Sequence, residues 1–299
     1  MAEPSVIDVA NLRKAWADVE AVNGLTLQVP AGSIFGFLGR NGAGKTTTIK
    51  VLLGMVRPSG GTARVFELPA DAPASSIEIR RRTGFVSEEK DLIDYMTVGE
   101  IVRFTAAFYP RWRRDLEEKY LRAFELPSDR KVKLLSRGMR TKLALLLALC
   151  RGAELLVLDE PTSGLDPAMT EEVLQALVTH AAGEGMTVFF SSHQIAEVDQ
   201  IADRVAIIER GRTVVCGALD DLRERYRRVQ LVFDGDAPAA SFRAPGIVRV
   251  RRRGRVLTVL SSSGADAVLD EARALAPVAT DVVPVTLKEI FLETVAAED

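Results

Sequence analysis

Cysteine is nearly absent: 299 residues hold only two, Cys150 and Cys216, with no metal-ligand spacing. That excludes a disulfide framework and a structural zinc site, and both are expected as buried thiols in a reducing compartment. Histidine is as scarce, with two in the chain. Excess charge is lacking too. The 39 Lys and Arg against 41 Asp and Glu leave a net charge of -2, with no electrostatic footprint for nucleic acid. Long apolar runs are missing; the longest, residues 143–150, falls far short of a bilayer span. Met1, Ala2, Glu3 and Pro4 supply neither the charged start nor the apolar core of a secretion signal. The expected location is therefore the cytoplasm, with any membrane served from its surface through a partner. What is present, 47% hydrophobic and 27% charged residues, is ordinary for a soluble globular chain. The length suits one large domain plus a small one.

The strongest local signal runs over residues 39–47 and fits G-x-x-x-x-G-K-[ST] at every fixed position. Its members are Gly39, Asn41, Gly42, Ala43, Gly44, Lys45, Thr46 and Thr47. Residues 33–38 before it are apolar and read as a buried strand. After it, Ile49, Leu52, Leu53 and Val56 recur at helical spacing. Glycines let such a loop fold back so that backbone N–H groups converge on a phosphate. The helix opening near Gly44 adds unpaired N–H groups and the positive end of its dipole. Lys45 supplies a mobile point charge for the β- and γ-phosphates, and Thr46 a hydroxyl for Mg²⁺. Nucleotide binding is the function this loop predicts.

Upstream, residues 6–12 and 25–29 alternate as half-buried strands do. Trp16 between them either stacks on a base or belongs to the core. Residues 57–61 form a turn, 63–66 a strand, and 83–87 another strand after a polar segment. Thr97 and Glu100 have capping-box spacing ahead of an apolar helical pattern, and a second helix is expected over 115–126. Residues from about 91 to 135 thus read as a helical insertion into an α/β core. Ser136 caps an apolar helix, which local pattern alone makes a core helix.

Residues 155–158 are apolar and end in Asp159 and Glu160. This reads as a buried parallel strand delivering two acids at its C-terminal end, where α/β sheets place ligands. Beside a phosphate loop, Asp159 would hold Mg²⁺ directly or through water, and Glu160 would orient or deprotonate an attacking water. A solvated turn is the plain alternative. Asp166 and Pro167 read as N-cap and first helical residue. Residues 186–191 form another buried strand, and His193 at its end either donates to a γ-phosphate or is structural. A hairpin about Gly211 and a short helix over 218–227 close the first domain. Beyond it lie strands over 229–233, 247–250, 255–260 and 278–285, with helices over 265–276 and 287–295. The basic run 249–255 reads as a charged hairpin around Gly254 rather than a lipid patch.

In order and spacing these elements resemble the ATP-binding subunit of an ABC transporter, over residues 6 to about 226 without a gap. Residues 39–47 look like its Walker A motif, and 155–160 like Walker B with its adjoining catalytic glutamate. Residues 135–139 look like its signature, 163–166 like its D-loop, and His193 like its switch histidine. Trp16 falls where the family places an aromatic on adenine. The resemblance implies a P-loop NTPase (ABC ATPase) core of the α/β class over 1–227. That core would carry an antiparallel β subdomain and a helical subdomain at about 91–150, with a small C-terminal α+β domain over 228–299. It implies ATP and Mg²⁺, with Thr46, Glu88 and Asp159 toward the metal and Glu160 and His193 in catalysis. It also implies a second ATP-binding subunit docked head to tail, so that Ser136, Gly138 and Asp166 reach nucleotide across a dimer interface. An integral-membrane transporter subunit would meet the helical insertion, with Glu88 at the hinge, and hold the protein on the cytoplasmic face of the membrane. The sequence departs from the usual pattern where Arg137 and Met139 replace a glycine and a glutamine, and where Glu88 replaces a glutamine. The C-terminal segment ending in residues 287–292 looks like the extra domain of the branch that exports drugs, antibiotics or lipid-linked compounds. The competing readings are a soluble ABC ATPase acting on nucleic acid or the ribosome, and a regulatory ATP-binding module without transport.

Overall fold

The computed structural model describes residues 4–295; Met1, Ala2 and Glu3, on which part of the signal-peptide expectation falls, lie outside the described residues. The chain divides into two compact units, Met1–Thr213 and Val214–Asp299.

The first unit opens with two long antiparallel strands, β1 (Ser5–Trp16) and β2 (Val19–Pro30). Their alternation buries Ile7, Val9, Leu25, Leu27 and Val29 on one face, as a sheet with one wet side requires. β3 (Ile34–Gly39) is buried at every residue and starts a different sheet. The loop at 40–44 leads into α1 (Lys45–Leu52), after which β4 (Gly60–Val65) and β5 (Leu68–Pro69) rejoin the first sheet in the order β2-β1-β4-β5. Ile49, Val51 and Leu52 of α1 share one core with Ile7 and Val9 of β1 and Phe35 and Phe37 of β3. The helix behind the glycine loop is thereby clamped between two sheets.

α2 (Pro73–Arg82) occupies the stretch that the sequence presents as a polar segment, and it leads into β6 (Thr83–Val86). α3 (Val98–Ala106) carries the full expected capping box: Glu100 N–H donates to Thr97 Oγ1 at 3.2 Å, and Thr97 N–H donates to Glu100 Oε2 at 2.8 Å. α4 (Arg114–Ala123) and the apolar α5 (Arg137–Leu149) complete the helical insertion, and Val98 and Gly99 N–H groups tie its start to the carbonyls of Arg130 and Ser128.

Next along the chain come β7 (Leu155–Asp159), α6 (Pro167–Glu184), β8 (Thr187–Ser192), α7 (Ile195–Ile201) and β9 (Arg204–Glu209). Within this unit the second sheet has the order β9-β3-β8-β7-β6, and every neighbouring pair is parallel. Register sets where these strands end. Leu38 pairs with Ser192, Ser191 with Asp159, and Val86 with Leu158. The C-terminal ends of β3, β8, β7 and β6 therefore lie side by side on one edge, as ligand sites in open α/β sheets require.

β10 (Arg212–Ala218) carries the chain into the second unit. The sequence changes texture only after Arg227, but α8 (Leu219–Arg225) already belongs to this unit. Leu219 and Leu222 are buried, and the Arg225 carbonyl accepts from Gly264 N–H at 2.9 Å. β11 (Arg227–Val232), β12 (Ile247–Arg253), β13 (Val256–Ser261) and β14 (Ala279–Pro284) form an antiparallel sheet in the order β12-β13-β11-β14. α9 (Asp266–Ala272) covers the core of Val229, Leu231, Leu257, Val259 and Val268, and α10 (Leu287–Val295) ends the described chain. The basic run is the expected hairpin, turned at Gly254 with φ 54°. Arg249 and Arg251 pair with Glu293 of α10, at 3.6 and 3.0 Å, so part of that charge is neutralised at home.

One expectation is corrected. Cys150 is buried at the end of α5, but Cys216 is exposed. It faces outward because β10 alternates, burying Val215 and turning the next residue to solvent. No helix among the described residues is long and apolar enough to cross a membrane.

Candidate functional site

The site is assembled by the loop after β3. Gly44 has φ 101°, and a Cβ there would lie 2.3 Å from the Ala21 carbonyl oxygen, so only glycine lets the loop close against β2. The close approach opens α1 toward a cavity of about 340 Å³. Asn41, Gly42, Gly44, Lys45, Thr46, Thr47, Glu88 and Glu160 line it. These are eight of the residues that the sequence singles out, brought together from three strand ends. The first N–H groups of α1 have no intrahelical acceptor and point at this space.

Lys45 is folded inward and only 6% exposed. Its Nζ donates to the carbonyls of Gly39 and Arg40, at 2.8 and 3.2 Å. It also stands 3.1 Å from Glu160 Oε1, close enough for ion pairing but off the line of a hydrogen bond, since that oxygen accepts none. The other carboxylate oxygen, Oε2, lies 2.8 Å from His193 Nδ1. An ionised carboxylate only accepts, so Nδ1 carries the proton in this contact and the far ring nitrogen faces away from Glu160.

Glu160 is buried with φ 48°, an uncommon left-handed conformation for a residue with a side chain. Its backbone is held from two sides. Its N–H donates to Ser191 Oγ at 3.0 Å, and its carbonyl accepts from Lys90 Nζ at 3.1 Å. Ser191 Oγ in turn donates to Asp159 Oδ1 at 2.7 Å. Sequence reasoning gives neither Lys90 nor Ser191 a role. Ser191 could have been found as a hydroxyl ending a buried strand in register with the acids; Lys90 carries no periodic signal at all. Burial pushes the Lys90 ammonium below the usual lysine range, with Arg137 adding to the effect and Glu88, Asp159 and Glu160 opposing it.

Other expected residues lie off the cavity. Asp159 is buried behind it, with Oδ1 committed to Ser191. Gly39 and Ala43 shape the loop through backbone groups, Gly39 accepting from Lys45 and the Ala43 carbonyl accepting from Gly211 N–H at 3.0 Å. Trp16 is 48% exposed at the β1–β2 turn, with Lys14 Nζ 4.5 Å above its ring; it is not a core residue. Ser136 caps α5 by accepting from Met139 N–H at 3.2 Å, and Asp166 caps α6 by accepting from Met169 N–H at 3.0 Å. Gly138 is buried against Met169. These three have structural duties within one chain.

The groups that could hold Mg²⁺ are the Thr46 hydroxyl and the Glu88 carboxylate at the cavity, with the Asp159 carboxylate behind it. No three His, Cys, Asp or Glu side chains among the described residues converge as a ready-made metal cage.

The chain is similar to known proteins. Residues 22–163 match the ABC transporter family. The chain is 34% identical over 226 residues to the bacitracin transport ATP-binding protein BcrA of Bacillus licheniformis, spanning 75% of this chain and 73% of that one. It is 27% identical over 293 residues to the ABC transporter ATP-binding protein YtrB of Bacillus subtilis (strain 168), spanning 96% of this chain and 97% of the relative. Among solved structures, cbiO1 from Clostridium perfringens, part of the transporter complex cbiONQ, matches with a TM-score of 0.63 and 26% identity, over 72% of this chain and 89% of that one. A phosphate loop, a buried glutamate held by a lysine and a histidine, and relatives that agree over most of the chain lead to one conclusion: this protein belongs to the ATP-binding subunits of ABC transporters and is an ATP hydrolase.

Proposed function

We propose that the chain powers export through a separate integral-membrane subunit, binding Mg²⁺-ATP at a head-to-tail interface with a second ATP-binding subunit. The observation that carries the catalytic part is the grip on Glu160 by Lys45 and His193 at the wall of the loop cavity. The export assignment is supported by a relative 36% identical over 217 residues, the Nod factor export ATP-binding protein I of Burkholderia orbicola (strain AU 1054).

ATP would lay its phosphates on the α1 N-terminus, with adenine toward Trp16. The triphosphate competes with Glu160 and the two carbonyls for Lys45. As Lys45 turns to the β- and γ-phosphates, Glu160 Oε1 loses its counter-charge and gains an acceptor position for water. Glu160 would then take the proton of that water as it attacks the γ-phosphorus and the bond to the bridging oxygen breaks, with ADP leaving, while His193, donating from Nδ1, keeps the carboxylate aligned and, with a proton on its far nitrogen as well, would donate to the γ-phosphate. Mg²⁺ would be held by Thr46 and Glu88, with Asp159 directly or through water, and would supply neutralisation of the phosphate charge. Ser136 at the start of α5, with Gly138 and with Asp166 of the D-loop, would close on the nucleotide of the second subunit.

A cavity of about 540 Å³, lined among others by Arg81, Arg82, Phe108, Tyr109 and Arg151, lies on the same unit away from the loop. It suits the membrane subunit, being bordered by residues on both sides of the helical insertion.

The test is purification of Glu160→Gln from its native membranes with ATP and Mg²⁺. Recovery of a polytopic membrane protein together with a second ATP-binding chain supports the proposal. Recovery of ribosomes, nucleic acid or soluble protein alone overturns it.

A further inference from the structure

Lys90 touches neither phosphate loop nor carboxylate, yet the fold buries it. After β6 the chain turns through 87–90, where Lys90 N–H donates to the Ser87 carbonyl at 3.3 Å and Lys90 itself has φ 49°. The turn sends the side chain inward until 5% of the residue is exposed. Its ammonium ends on the carbonyl of Glu160, 70 residues away in sequence. Burying an ammonium is costly, and a leucine or methionine would fill the same space without that cost. What the lysine adds is a charge-assisted hydrogen bond to one particular peptide group.

That peptide group belongs to the general base. The Glu160 carbonyl accepts from Ser163 N–H at 3.2 Å as well as from Lys90, so both of its acceptor positions are used. The residue sits in the left-handed region, a conformation that persists only when surroundings over-determine it. Ser191 fixes the nitrogen side of Glu160 from β8, and Lys90 fixes the carbonyl side from a different segment.

That segment faces two ways. Glu88 lines the nucleotide cavity. Ser87, Lys90, Asp91 and Leu92 line another cavity, of about 180 Å³, together with Thr105 and Tyr109. A displacement of 87–92 from the second cavity is therefore a displacement of the donor on Glu160.

We propose that Lys90 is a positioning residue for hydrolysis: it holds the Glu160 peptide so that the carboxylate points at the attacking water, and it makes that aim depend on where segment 87–92 stands. This rests on the reading of Glu160 as general base. It adds a physical link from the surface of the insertion to the reacting centre through one side chain.

The experiment uses the full-length chain and its Lys90→Met, Lys90→Arg and Glu160→Gln variants. ATP affinity, kcat and KM for ATP hydrolysis, and the thermal unfolding midpoint are measured for each. Lys90→Met is expected to keep ATP affinity within about twofold while kcat falls roughly tenfold to a hundredfold, the loss expected from mis-setting a reacting group by about an ångström. Its unfolding midpoint should not fall, because an apolar side chain of similar volume replaces a buried charge. Lys90→Arg keeps a cationic donor and should recover part of the rate. A kcat for Lys90→Met within twofold of the parent overturns the proposal. So does a fall in kcat matched by equal losses in ATP affinity and thermal stability, which would mark a merely structural lysine. If Glu160→Gln itself turns over normally, the assignment of the base fails instead, and the two failures are told apart.

Discussion

Lys45 Nζ and Glu160 Oε1 stand 3.1 Å apart, and each side chain is only 6% exposed. The proposed nucleotide-binding cation and the proposed general base thus stand within ion-pairing reach of one another. Removing either should fail differently. Lys45→Ala leaves the buried Glu160 carboxylate without its lysine partner, held at its other oxygen by His193, and should cost about 3 kcal/mol of stability, with ATP affinity lost. Glu160→Gln should keep ATP affinity and lower phosphate release by at least about a hundredfold. Nucleotide titration beside a phosphate-release assay separates the two; normal turnover by Glu160→Gln would show that another group is the base.

Gly138 meets Met169 so closely that an added Cβ would lie 2.0 Å from the methionine sulfur. The sulfur is near the end of a flexible side chain, so Gly138→Ala should cost only about 1–2 kcal/mol as α5 and α6 are pushed apart. Met169→Ala in the same chain should return most of that loss. Urea unfolding of the two single variants and the double variant reads the coupling, and additive costs would show that Met169 is not what excludes the Cβ.

Arg82 grips Glu154 with two hydrogen bonds, Nε at 2.8 Å and Nη2 at 2.6 Å, while its guanidinium lies 3.8 Å from the Phe66 ring. The hydrogen bond from Arg82 holds the Glu154 carboxyl below the usual range, against the upward push of burial. A carboxylate with a depressed folded-state pKa stabilises the fold above its unfolded pKa and loses that contribution as the pH falls through the folded one. The loss should therefore appear below about pH 4.5, and Glu154→Gln should abolish it. Both partners are partly exposed, so the expected size is under about 1 kcal/mol, read as a shallower acid limb in a pH series of urea midpoints.

Burial pushes the Cys150 thiol up to about 12, with Glu117 and Asp115 adding to the effect and Arg113 opposing it. At pH 8 only about one thiol in ten thousand is ionised there. A maleimide should label one site per native chain, at Cys216, and two sites in urea. Rapid labelling of Cys150 in the native protein would mean that the end of α5 opens readily.

What the sequence made legible was whatever repeats or punctuates. β3 and β7 are apolar runs ended by glycine or by acids, α3 carries its capping box in four letters, and β8 closes at two serines and a histidine. α2 gives little periodic signal because Ile77, Glu78 and Arg81 are exposed and it buries little besides Ser76 and Ile79; Pro73 at its first position is the cue it carries. α7 has seven residues, too few for periodicity to announce it. Cys216 misled because apolar neighbours in a strand say nothing about which face each one takes. The contact of Lys90 with Glu160 was invisible for a different reason. It depends on a left-handed turn, and neither residue is one in which such a φ is common.

The place of β8 between β3 and β7 has a consequence for synthesis. Nascent chain carrying the phosphate loop and the acids but not yet residues 187–192 lacks the strand separating them, leaving a gap of about 10 Å between the would-be neighbours. At ordinary elongation rates the ribosome needs roughly ten to thirty seconds to pass from the loop to that strand. During that interval ATP meets a loop with no base beside it. Hydrolysis that depends on Glu160 therefore waits for β8 to bring the acids beside the loop.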